Sequence, residues 1–442
     1  MIKMHKAVFA LLMGFMISGC AAGFNHSQLN QYLETGECNR ATAYVDQGRK
    51  SYGDNGELLY LLDSAMVYFQ CQDFESAQSR FREAEDLAEK LWTESISRNI
   101  AAFAVSDNVL KYQGEDYERV LIHLVSAIGF LRAGRLDEAL VECRRLDSLL
   151  SLFNATYEEK NVYKEDAFAR YLSGMLHEAD GELDDAFIDY YKAVRIYKDY
   201  AKAYGLSAPA VLEEDLLRVA QAVGRLDEAR SVVPDSESRS WLTQSDTRAM
   251  GRVVYIQFSG FAPLKIQDRI IIPTRGGPVT VAFPRMVTAP PACRPGRLVL
   301  TSTEAGIEAR IFPAEDINRI AVKNLDDRKG RVIAKTMVRA ATKQVIISGL
   351  ANQGDEEAQA TIRLLLNMIN LFVEQADTRT WRLLPGEIHV SRVYVPQGEY
   401  QVNLSLCDGD VRSLEKIRIA AGDTSFLFHD ARYPCLTAGC RQ

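Results

Sequence analysis

The side chains with the most chemistry to offer in this chain are its eight cysteines, and one of them stands apart. Cys20 closes the stretch Ile17-Ser18-Gly19-Cys20. Two lysines, Lys3 and Lys6, and then the apolar run Ala7–Ile17 come before it. A charged start, an apolar run of roughly 7–15 residues and small residues at a cut site are the order of a secretory signal. The run is too short to cross a bilayer, which takes about 20 apolar residues. The other cysteines are Cys38, Cys71, Cys143, Cys293, Cys407, Cys435 and Cys440. None is spaced as C-x-x-C, so neither a zinc site nor a thioredoxin-like redox pair is indicated, and no metal is expected. In an exported chain such thiols are disulfide candidates.

Ile-Ser-Gly-Cys resembles a bacterial lipobox. That resemblance implies that the Cys20 thiol is lipidated, that residues 1–19 are cut away as a signal peptide, and that Cys20 becomes the first residue. It also implies a bacterial outer-membrane location facing the periplasm, because Ala21 stands where an Asp would favour inner-membrane retention. No other apolar stretch is long enough to span. The best, Leu364–Val373, is interrupted by Asn367 and Asn370, so the acyl chains carry the membrane attachment. The net charge of −7 becomes −9 once Lys3 and Lys6 leave with the leader. That excess of acid, like export, argues against nucleic acid as a partner.

The elements that must position the remaining residues change character along the chain. From about residue 28 to 230 the apolar residues recur at three and four, the period of amphipathic helices. Ala65, Tyr68, Ala77, Phe81 and Ala84 stand at offsets 0, 3, 12, 16 and 19. Ala127, Phe130, Ala139, Cys143 and Leu146 repeat them, as do Gly174, His177, Ala186, Tyr190 and Ala193. A fourth turn, Val-Gly-Arg-Leu-Asp-Glu-Ala, ends at Ala229. These offsets resemble the tetratricopeptide repeat (TPR), a helix–turn–helix unit of about 34 residues. The turn alanines 77, 139, 186 and 229 are 62, 47 and 43 apart, so an irregular solenoid is expected over residues 20–231. Residues 232–250, rich in Ser, Asp and Arg, suggest a linker. From 251 to 442 short β-type runs bounded by Pro and Gly imply a β-sandwich-like domain with a helical insertion at about 314–375. In Val395-Pro-Gln-Gly-Glu-Tyr, Gly398 is expected to supply a positive φ for a turn joining two strands. The fold class is therefore multidomain α+β.

This frame gives the thiols places. Cys38 precedes one helix and Cys71 ends the next, which predicts a Cys38–Cys71 disulfide. Cys143 falls at a buried packing position and is expected to stay free. The tail Tyr433-Pro-Cys-Leu-Thr-Ala-Gly-Cys would fray unless tied down. Cys407 is expected to bridge to one of Cys435 and Cys440, and Cys293 to the other. A local Cys435–Cys440 bridge is the competing arrangement.

No enzyme constellation is present. There is no HExxH, GxSxG, P-loop or dinucleotide fingerprint, and no cofactor is implied. His123 and His177 fall on repeat helices, where structural roles are expected. Two features qualify as binding elements. One is Asp377-Thr-Arg-Thr-Trp-Arg-Leu-Leu-Pro, with Trp381 and Arg379 as contact residues; against this, Trp381 would serve equally as a plug of the sandwich core and Asp377 as the local partner of Arg379. The other is a basic stripe, Arg331, Lys335, Arg339 and Lys343, at every fourth residue of a helix, suited to an anionic membrane surface or an acidic partner, or simply a solvated face.

Leu58-Leu-Tyr-Leu-Leu-Asp-Ser-Ala, Tyr117-Glu-Arg-Val-Leu-Ile-His, Ala139-Leu-Val-Glu-Cys-Arg-Arg, Tyr171-Leu-Ser-Gly-Met-Leu-His-Glu and the Trp381 segment together resemble a little-characterised family of bacterial TPR lipoproteins, over essentially the full length. The resemblance implies a lipid-anchored, non-enzymatic adaptor. Partner peptides would lie on the face built from the first helices of the repeats. The partner would be an envelope protein of cell-wall synthesis or outer-membrane assembly. The alternative expectation is a peptidoglycan- or glycan-binding, or cell-wall-modifying, protein, resting on compartment and on Trp381. Cys20→Ser is expected to abolish incorporation of labelled palmitate and to leave the precursor uncut or release a soluble chain; continued labelling of the variant rules Cys20 out as the lipid site.

Overall fold

A computed structural model of the chain describes residues 23–98, 110–156, 163–233, 236–238, 240–274, 277–289, 296–303, 306–328, 330, 333–334, 337, 375–405 and 411–438. Two short helices, α1 (His26–Glu34) and α2 (Cys38–Gln47), lead into four helical hairpins. The first helices are α3 (Glu57–Gln70), α5 (Asp116–Arg132), α7 (Ala167–Ala179) and α9 (Ala210–Ala222). The second helices are α4 (Phe74–Arg98), α6 (Leu136–Thr156), α8 (Leu183–Tyr204) and α10 (Leu226–Val232). The small residues that define the repeat, Ala65, Ala77, Ala127, Ala139, Gly174, Ala186 and Ala229, are all buried. They let paired helices approach closely. A Cβ on Gly174 would meet the Tyr190 ring at 2.5 Å. The second helices are long, 25 residues in α4, 21 in α6 and 22 in α8, which accounts for the wide intervals between turns. The N-terminal half is thus a set of TPR-like helical repeats.

All four hairpin turns close in one way. The amide after each turn residue reaches back five positions, Asp73 to Tyr68 (3.0 Å), Arg135 to Phe130 (2.9 Å), Glu182 to His177 (2.8 Å) and Arg225 to Ala220 (2.8 Å). This is the six-to-one bond of a Schellman cap, which needs a left-handed residue just before it. Gly134, Gly181 and Gly224 fill that position at φ 73°, 84° and 72°, whereas the first hairpin uses Gln72 at φ 63°.

A short helix α11 (Gln244–Thr247), opened by a Thr243/Asp246 capping box, precedes ten strands. They are β1 (Met250–Phe261), β2 (Leu264–Thr274), β3 (Gly277–Val287), β4 (Arg297–Thr301), β5 (Gly306–Arg310), β6 (Phe312–Asp316), β7 (Pro385–Pro396), β8 (Gly398–Ser405), β9 (Val411–Ile419) and β10 (Thr424–Asp430). One sheet has the order β10-β1-β7-β6, a second β5-β4-β8-β9, and β2 and β3 form a separate two-stranded ribbon. In the first sheet β1 pairs parallel with β10 and antiparallel with β7. The C-terminal region is sheet-rich, and the chain as a whole is mixed α+β.

The first sheet is the middle layer of three. Residues Gly251–Ser259 of β1 are buried without interruption, and their alternation sends side chains to two different cores. Val253 and Tyr255 pack with Leu298, Leu300, Val402 and Leu404 of the second sheet. Val254, Ile256 and Phe258 pack with the repeat helices.

The structure differs from two of these expectations. Residues Phe312–Asp316 form β6, so the helix after them starts at 317 rather than 314. The weak signal of β5 also escaped notice; it is an edge strand whose residues are never more than half-buried. Gly398 is not at positive φ: β7 and β8 do not pair with each other but belong to different sheets, so the chain crosses between layers there instead of making a hairpin. Gln72→Gly is expected to raise stability by about 1 kcal/mol, because a side chain in the left-handed region costs roughly 1–2 kcal/mol; urea titration of the variant checks this.

Candidate binding site

The face that the TPR resemblance assigns to partner peptides is filled by the chain's own middle sheet. Every first helix contributes. Phe69 of α3 lies against Phe258 and Phe428, with ring centroids at 6.1 and 5.4 Å, and Gln70 donates to Asp430 at 2.5 Å. Arg132 of α5 covers the Phe428 ring at 4.5 Å. The carboxylate of Glu118, also on α5 and fully buried, accepts from the Trp381 amide at 2.7 Å and the Thr380 hydroxyl at 2.9 Å.

The α7 and α9 contacts are ionic. Glu178 meets Arg218 and Arg252, and accepts from Tyr190 at 2.7 Å. Asp215 accepts from Arg218 at 2.5 Å, from Tyr171 at 2.9 Å, and from Arg392 at both 2.7 and 3.1 Å. Arg252 is on β1 and Arg392 on β7, so two carboxylates and three guanidiniums join helices to sheet. All five are at most 5 % exposed. Burial pushes the Glu178 carboxyl up, but Arg252 and Arg218 together hold it below the usual carboxylate range. Its contribution to stability is therefore present at neutral pH and is lost as pH falls from the ordinary carboxylate range through its own lower value.

Residues singled out in the sequence fall in several places. Trp381 is fully buried between helices and sheet, 6.3 Å from Phe81. It cannot serve as an exposed contact, and it plugs the helix–sheet junction rather than the sandwich interior. Arg379 is likewise turned inward. It is paired with Asp377 at 2.8 Å, donates to the carbonyls of Asn55 and Leu110, and lies over Tyr112. Cys38 and Cys71 form a disulfide, their Cα atoms 5.5 Å apart, and Cys143 is free and buried. Cys435 is disulfide-bonded to a partner outside the described residues. Cys20, Cys293, Cys407 and Cys440, and the basic residues Arg331, Lys335, Arg339 and Lys343, lie outside the described residues.

With the first helices covered, the accessible concavity is on the other side. A pocket of about 370 Å³ opens between α4 and α6, floored by α5. At its base His123 Nδ1 lies 2.8 Å from Glu142 Oε2, and His123 Nε2 lies 3.8 Å from Glu85. Arg145 bridges the two carboxylates at 3.2 and 3.4 Å. Burial raises the Glu85 carboxyl, against the pull of His123 and Arg145. On the rim Arg144 is exposed, and Val141 and Leu152 are 39 % and 44 % exposed. The pocket thus offers a cationic group and an apolar lip over a polar floor. Part of the signal lies in the sequence: Val141 and Leu152 break the polar outer face expected of a second helix. Among the described residues, His177, Glu182 and Asp185 at the third repeat turn have ligand atoms close enough together to hold a metal ion. His177 Nδ1 already lies 2.7 Å from Glu182.

No protein-family model and no curated protein sequence matches the chain. Among solved structures, the Rap conjugation gene regulator of the plasmid pLS20, in complex with the Phr* peptide, is similar at 14% identity and a TM-score of 0.27. The match covers 46% of this chain and 48% of the regulator, so the chain spans about half the length of that protein. A Podosopora anserina putative kinesin light chain of nearly identical TPR-like repeats matches at 16% identity and a TM-score of 0.26, over 47% of this chain and 89% of that one. A substituted form of the same light chain gives 0.27 at the same identity, over 48% and 91%.

Two further buried polar clusters lie away from the pocket. On the β1–β7–β10 face, His389 makes no well-formed hydrogen bond through either ring nitrogen, although its Nε2 lies 3.2 Å from Glu387 Oε2, and Nε2 of His429 has no partner among the described residues. Burial pushes His429 down to about 4, so its ring is neutral at neutral pH. Behind α7 and α8, Asp166 and Glu315 are buried among Tyr163, Tyr197 and Tyr200. Neither Glu315 oxygen has a well-formed hydrogen bond. Burial, and then the charges of Asp166 and Asp316, hold this carboxyl well above its ordinary 4.5. A raised acid favours the fold below about pH 4.5 and disfavours it increasingly as pH rises through the folded-state value. Glu315→Gln is accordingly expected to stabilise the protein at neutral pH by about 1–3 kcal/mol, with the gain vanishing in acid; melting curves across pH check the sign.

Proposed function

We propose that this chain is a lipid-anchored adaptor of the bacterial outer membrane, attached through Cys20 and facing the periplasm, whose repeats dock an envelope protein on their outer side. The observation that carries this reading is the pocket between α4 and α6. It is an open concavity, among the described residues, in a repeat array whose first-helix face is already occupied. Repeat arrays present extended surfaces to partner segments, and here the surface left to a partner is that of the second helices. The chemistry of the pocket fits a segment carrying an aliphatic side chain beside a carboxylate: Val141 and Leu152 meet the first, and Arg144 the second. The glycan-binding reading rested on compartment and on Trp381, and the burial of Trp381 removes the second of these.

A photo-crosslinking residue at Val141 or Leu152 is expected to capture one discrete envelope protein. A crosslinker at Lys202, whose side chain is 79% exposed and which lies away from the pocket, should not. Arg144→Glu should reduce the adduct by about tenfold, as expected for loss and reversal of a charge-assisted contact. Equal labelling from Val141 and Lys202, or an adduct indifferent to Arg144→Glu, removes the pocket from the docking surface.

A further inference from the structure

The β2–β3 ribbon departs from the rest of the surface in two respects. The first is its apolar exposure. Among the described residues, twelve large hydrophobic side chains are exposed, and five of them, Leu264, Ile266, Ile270, Ile271 and Val287, are on this ribbon. Ile270 is 47% and Ile271 62% exposed. Being consecutive in a strand, these two point to opposite sides of the ribbon. A groove on another protein would cover one side and leave the other in water. Their β3 partners Val281 and Thr280 are buried, so the exposed part is the outer edge of β2, and a lipid surface that this edge enters covers both.

The second is charge. From Arg269 to Thr303 the chain has five arginines and no acidic residue, and from Arg328 to Gly354 it has six lysines and arginines and again no acid. In a chain of net charge −7 that is a strong local reversal. Of the second segment, Ile333 packs against Val281 and Phe283 of the ribbon, as does Ile272. Arg269, beside the two isoleucines, is exposed and pairs with no acidic side chain among the described residues. Asp268, beside Arg269, is engaged by Arg285 at 2.9 Å, and apolar side chains set among cations are what a bilayer with anionic headgroups recognises.

We propose that the β2–β3 ribbon is a membrane-contact element, entering the headgroup layer of an anionic phospholipid surface through Ile270 and Ile271 with Arg269 at the phosphates. This contact is independent of acylation at Cys20 and of the pocket between α4 and α6. Its test is flotation of the unacylated chain from Ala21 onward, which keeps every described residue, with vesicles of phosphatidylglycerol in phosphatidylcholine and with phosphatidylcholine alone. The protein is expected to float with the anionic vesicles, about tenfold less with the neutral ones, and progressively less as salt rises. Ile270→Ser with Ile271→Ser should lower flotation by about fivefold or more. Both positions are exposed, so the melting temperature should not change. Absence of flotation on anionic vesicles, equal flotation on neutral ones, or unaltered flotation of the double variant each overturns the proposal. So does a wild-type dimer in sedimentation that the double variant abolishes, which would assign the ribbon to a second copy of the chain.

Discussion

The structure depends on one strand being buried on both faces. β1 has no solvent side: its even residues, from Val254 to Phe258, belong to the helical core, while Val253 and Tyr255 belong to the core between the sheets. A sheet in that position must satisfy every polar group it carries toward the helices, because an unpaired buried charge costs far more than an unpaired exposed one. Arg252 and Arg392 are those groups, and Glu178 and Asp215 on the first helices answer them. The two halves are therefore defined against each other rather than joined by a tether. At the far edge the short helix Pro434–Ala438 returns to α1, with the Tyr433 hydroxyl 2.9 Å from Asn30 Oδ1.

This arrangement moves the available surfaces outward. A free repeat array would offer its first helices; here they are the floor of a core. Among the surfaces left to solvent are the groove between second helices and the outer edge of the β2–β3 ribbon. Both carry exposed aliphatic residues next to arginines, and both lie away from the ionic seam. Binding at either can vary without disturbing the contacts that hold the fold together.

The repeats were legible because they rest on local physics. Small residues at fixed offsets, a glycine at the left-handed turn position and an acidic residue opening each second helix leave marks in any single sequence. Gln72 hid the first turn from a glycine search, yet the offsets of Ala65 and Ala77 exposed it. The Cys38–Cys71 pair was legible for the same reason, since the ends of neighbouring helices are close by construction. The double burial of β1 was not. Its run Arg252-Val-Val-Tyr-Ile-Gln-Phe-Ser reads as a strand, but nothing in it says that helices far earlier in the chain cover one face. Trp381 is the buried plug that one reading of its segment expected, but its place at the helix–sheet junction was hidden on the same ground, because its partner Phe81 and the carboxylate of Glu118 are distant in sequence. The pocket escaped for a further reason: Glu85, His123 and Glu142 come from three helices, and only packing brings them together.

The parallel pairing of β1 with β10 has a consequence for the order in which the molecule is made. The two strands are separated by some 170 residues, and the first helices wait still longer for their cover. Until the final strand has been made, β1 has an unpaired edge and the hairpins show bare apolar and charged flanks to water. Contacts of such sequence separation form slowly and leave a chain exposed to aggregation. The hairpins can close locally, held by their turns and by the Cys38–Cys71 bond, but they cannot complete a core by themselves. Maturation of this protein is thus an end-loaded process, and a truncation near the last strand should be as damaging to the repeats as one within them.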